Sequence, residues 1–183
     1  MVAVPQNAAA DQGAILEACR ADLAAWAAAQ APRGEVFVAR DPIEPLLLLL
    51  GARSEGFRVV LSLGRDESAD RENPALVINT TVQMVVQSGE GLRADRSILA
   101  WKGESGRPSL LRLVRDVRFR ALCWKFNTSL VHRGRLFYDG AEPYVPPDGV
   151  PLAAYQLTFH FRAAGRAPLE SDRVEITVPA EAG

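Results

Sequence analysis

The chain has 183 residues, of which 48% are hydrophobic and 23% charged, with a formal net charge of −1. That length suits one domain with a sizeable core rather than two, and the composition excludes a disordered or fibrous chain. The apolar run 46–50 is held between Pro45 and Gly51 and falls far short of the roughly 20 residues of a membrane span. "MVAVPQNAAA" lacks the cationic start of a secretory signal, so a soluble, cytoplasmic product is expected.

Residues 1–8 and 164–183 read as loose arms on a single domain spanning 1–183. The first element is a helix over 8–30. Ile15, Ala18, Cys19, Asp22, Leu23 and Trp26 recur at three- and four-residue steps, Asp11 is placed to cap the start, and Pro32 and Gly34 end it. "EVFVAR" reads as a short strand, and the leucine run after it as a short helix or a buried connection. "FRVVLSLG" (57–64) and "ALVINTTVQMVVQ" (75–87) then form a long antiparallel hairpin around a charged, solvated loop at 65–74. Within the second strand Val82, Met84 and Val86 alternate with Gln83, Val85 and Gln87. One face therefore packs on a core while the other meets water or a neighbour.

From 88 to 108 the periodicity lapses, as it does in a functional arm or lid. Trp101, in "ILAWKG", is expected to anchor that long loop against an interface or the core. Next comes a second helix within "RPSLLRLVRDVRFRALCWKF". Leu110, Leu113, Val114, Val117, Ala121 and Trp124 lie on one stripe, Arg112, Arg115, Arg118 and Lys125 fall off it, and Pro108 and Ser109 suit the start. A strand "RLFYDG", a proline-rich crossing and the strand "AAYQLTFHF" (153–161) close the domain; "RVEITV" (173–178) reads as an edge strand or an arm that pairs with another chain. The fold class is thus α+β: a mostly antiparallel sheet with two main helices packed on it.

Few residues suggest chemistry. Cys19 and Cys123 lie in helical segments with apolar neighbours and read as buried free thiols. His160 shares a strand face with Gln156 and Thr158, and His132 lies in a turn; neither belongs to a recognisable triad or zinc spacing. "GESGRPS" lacks the phosphate-loop lysine, and Asp139 with Glu142 fits ordinary turn chemistry better than a metal site. The informative feature is charge segregation. Residues 1–92 hold 7 basic and 12 acidic side chains, residues 93–135 hold 11 and 3, and residues 136–183 hold 3 and 7. A basic block between two acidic ones can bind nucleic acid, or the acidic surface of a neighbouring copy.

The pieces "AILEACRADLAAW", "PALVINTTVQMVV", "SLLRLVRDVRFRAL" and "AAYQLTFHFRA", in that order, resemble the tail terminator proteins of long-tailed bacteriophages and related phage-like particles. The resemblance covers most of residues 10–163. It implies a ring, of hexameric type, at the head-proximal end of the tail tube, where it stops polymerisation and joins the tail to the neck. It implies a virion location after assembly in the host cytoplasm. The implied partners are further copies, the tube protein, a neck or head-completion protein and, in a contractile tail, the sheath, with DNA only passing through the lumen. No catalytic residue, metal or cofactor comes with it. The 88–108 loop and the tail after 163 depart from the usual pattern. Trp101, Arg112, Arg115 and Arg118 are the expected interface residues. Other readings are a neck-joining protein, a nucleic-acid-binding accessory protein using 93–135, and a small hydrolase should His132 or His160 meet an acid in space.

Overall fold

The computed structural model describes residues 12–30, 33–39, 48–49, 56–68, 77–88, 109–126, 135–144 and 153–164. Among them a helix α1 (Gln12–Ala28) precedes strands β1 (Gly34–Val38), β2 (Phe57–Ser68) and β3 (Val77–Ser88). A second helix α2 (Leu110–Leu122) follows, then β4 (Phe137–Pro143) and β5 (Ala154–Ala164). The strands form one sheet in the order β1-β2-β3-β5-β4. Only β1 and β2 run parallel; the other neighbours are antiparallel. The chain is a single α+β domain in which, among the described residues, the two main helices pack on one face of a mostly antiparallel sheet.

Alternation along the strands builds the main core. Phe57, Val59 and Leu61 of β2, Val82, Met84 and Val86 of β3, and Leu157, Phe159 and Phe161 of β5 all turn to one face and are buried beneath the helices. Each such side chain taken from water contributes about 1.5–3 kcal/mol. The helix α2 meets them with Leu110, Leu113, Val114, Val117 and Ala121, the stripe its spacing predicts, and its first turn is capped by the Ser109 hydroxyl accepting from the Arg112 amide. In α1 the buried set is Ile15, Leu16, Cys19, Leu23 and Ala27. The expected Ala18, Asp22 and Trp26 are half-buried at its margin. Asp11, offered as the cap of α1, lies outside the described residues.

Several expectations change. The hairpin strands run further than their apolar residues suggest: 65–68 continue β2, past a register shift between Leu63 and Asp66. Backbone pairing needs no apolar side chain, so charge alone does not end a strand. For the same reason β4 continues through Ala141–Pro143, where a proline-rich crossing was expected. The second face of β3 is not left to water at its far end, because Val60, Val85, Ala39, Ala154 and the fully buried Leu49 form a smaller core there, with Phe37, Leu48 and Tyr144 against it. Gln87, on the same strand, is fully buried, and neither of its amide atoms has a hydrogen-bond partner among the described residues. Cys123 is a free thiol as expected, but an exposed one at the end of α2, since its helix has already turned its apolar stripe past that position.

Candidate interaction face

On α2, successive residues step by 100°, so the residues opposite the buried stripe form a second, outward stripe. It carries Leu111, Arg112, Arg115, Phe119 and Leu122. Phe119 is 69% exposed, Leu111 53% and Leu122 46%, and they are the largest bared apolar groups among the described residues. Scattered surface leucines need no explanation, but three large apolar side chains along one helical face constitute a patch.

The four helical arginines divide by direction. Arg112 and Arg115, each with 65% of the side chain exposed, share a single carboxylate, Asp116, at 3.7 and 3.2 Å. Arg118 turns sideways and lies over the Tyr138 ring of β4, 5.5 Å from its centroid. Arg120 turns towards α1. Its Nε and Nη2 donate to the two oxygens of Asp22 at 2.6 and 2.8 Å, and the Trp124 indole N–H donates to Asp22 Oδ2 at 2.8 Å. The bidentate pair ties the two helices together and sets the orientation of α2. Arg120 was not among the expected interface residues, and a partner 98 positions away leaves no local signal in the sequence.

Between the helices, Trp26, Arg115, Asp116, Phe119, Arg120 and Cys123 line an open hollow of about 400 Å³. Its walls combine two aromatic rings with the arginines, and it adjoins the outward stripe, so the patch has relief into which a side chain can seat. Trp101 lies outside the described residues, as does His132.

The opposite sheet face is polar in its middle, and His160 sits there. Its Nδ1 is 2.7 and 2.9 Å from the two oxygens of Asp139, and its ring stacks on Phe137 with centroids 5.2 Å apart and 14° between planes. Arg135 and Arg162 flank the same Phe137 ring at 5.5 and 5.7 Å. Asp139 occupies a register shift between Tyr138 and Gly140, so the imidazole holds an irregular edge strand to β5. The condition set for a hydrolase, an acid within reach of a histidine, is met here. Its other requirement, a nucleophile against the second ring nitrogen, is supplied by no described side chain. Among the described residues no three His, Cys, Asp or Glu side chains gather as a cation site. No protein family matches the chain, and no curated protein matches it either.

Proposed function

We propose that this chain is a ring-forming structural subunit of a long-tailed phage or phage-like particle: a tail terminator that closes the head-proximal end of the tail tube and joins the tail to the neck. The family part of this reading rests on the sequence resemblance. The observation that carries the assembly part is the outward stripe of α2, where Leu111, Phe119 and Leu122 stand bare beside Arg112 and Arg115 on a helix clamped to its neighbour by Arg120 and Asp22. A helix fixed in orientation, with one apolar face in the core and another in solvent, is suited to a contact between rigid subunits.

The deciding experiment measures the mass of the purified protein across a concentration series, followed by electron microscopy with and without assembled tail tubes. A ring of about six copies, or one appearing only at tube ends, is the expected result. A strict monomer that ignores tubes and binds DNA with a steep salt dependence overturns it in favour of the nucleic-acid accessory reading. His160→Ala separates the hydrolase reading. As a clamp on β4, the histidine can be removed at about 1 kcal/mol of stability with assembly intact; loss of a hydrolytic activity would instead assign His160 and Asp139 to catalysis.

A further inference from the structure

Resting on the ring reading, a more specific contact follows from the charges that the fold leaves unbalanced. On the outward face of α2, Arg112 and Arg115 share one carboxylate, so the face keeps a net positive charge beside its bare apolar groups. Among the carboxylates whose side chains are described, Glu17 pairs with Arg20, Asp22 with Arg120, Glu35 with Arg58, Asp116 with the two α2 arginines and Asp139 with His160. Glu142 is the exception: it stands exposed on β4 with no cationic partner among the described residues.

Beside Glu142 are Ala141 and Pro143, also exposed, on a strand that among the described residues is paired on one side only, with β5. A free edge usually invites another strand, but Pro143 has no N–H to donate and the register shift at Asp139 breaks the ladder. The edge of β4 is therefore built for side-chain contact rather than strand addition. It offers one acid between small apolar groups, the counterpart of arginines between large ones.

We infer that the outward face of α2 docks on the β4 edge of a second copy of this chain, with Glu142 of one subunit meeting Arg112 and Arg115 of the next. The two patches lie on different parts of one subunit, the helix layer and the sheet edge. The contact is therefore heterologous: each copy uses its α2 on one neighbour and its β4 on the other, as a cyclic assembly requires.

Two exposed charge reversals test this without disturbing the core. Arg112→Glu combined with Arg115→Glu makes both patches negative, and Glu142→Arg makes both positive, so each variant repels itself. Mixed together, the negative α2 of one meets the positive β4 of the other, and the reverse pairing is equally matched. The expected result is that each variant alone needs roughly tenfold or more higher concentration to associate, while the equimolar mixture returns to within about threefold of the wild type. Circular dichroism and melting temperature serve as the check on folding. If both variants associate like the wild type, or the mixture does no better than its components, the α2–β4 contact is wrong while the ring reading stands. A wild-type chain that never associates and ignores tubes overturns both.

Discussion

The Asp22 carboxylate is half-buried between the helices, and desolvation alone would raise its proton affinity. Hydrogen bonds from Arg120 and Trp124 and the charge of Arg120 outweigh that, holding it below its ordinary value of 3.8. A carboxyl depressed in the folded state contributes stability that is fully present above its unfolded value and disappears as pH falls through the folded one. Asp22→Asn keeps the shape but loses the charge. It is expected to lower stability at neutral pH by about 1–2 kcal/mol, with the difference from the wild type constant above roughly pH 5 and closing below roughly pH 3. Urea midpoints of both proteins across that range decide it. A gap that persists unchanged at low pH would mean that Asp22 acts through packing and not through its charge.

The elements differ in how openly the sequence announces them, and the reasons are physical. The buried stripe of α2 was legible because five apolar positions repeat at the helical period and a serine stands where the cap belongs. The hidden second face of β3 was not. Val85 and Gln87 read as a solvent face because nothing near them in sequence reveals that Leu49 lies over that end of the sheet. Similarly, Arg118 and Arg120 look like members of one basic block, and only tertiary geometry turns one to Tyr138 and the other to Asp22. Gly34, read merely as a helix stop, opens β1 because an added Cβ would lie 2.3 Å from the Phe57 ring, which is itself buried and packed on Trp26. Because that ring must shift against its packing on Trp26, Gly34→Ala is expected to cost about 1–3 kcal/mol. Gly140 on β4 has nothing within 4 Å of the same atom, so Gly140→Ala should stay within about 0.5 kcal/mol of the wild type. Equal losses in denaturant melts would show that strand conformation, not the Phe57 contact, governs both sites.

For the whole molecule, the two cysteines report on folding and on assembly separately. Cys19 is buried in the main core, where desolvation first and the Asp22 charge second push its thiol well above the ordinary range, so it is inert while the chain is folded. Cys123 is exposed and lines the hollow beside Phe119. An alkylating reagent is therefore expected to add one group to the native chain and a second only in denaturant, as mass spectrometry would count. If the α2 face is covered by a neighbour, labelling at Cys123 should slow as protein concentration rises through the association range. A bulky adduct formed there beforehand should raise the concentration needed to associate. Cys19 supplies the internal control, because its protection follows folding alone and should not change with concentration. Labelling of Cys123 at one rate throughout, with association unaffected by the adduct, would remove the hollow between the helices from the contact and leave the docking to the Leu111 and Leu122 side of the stripe.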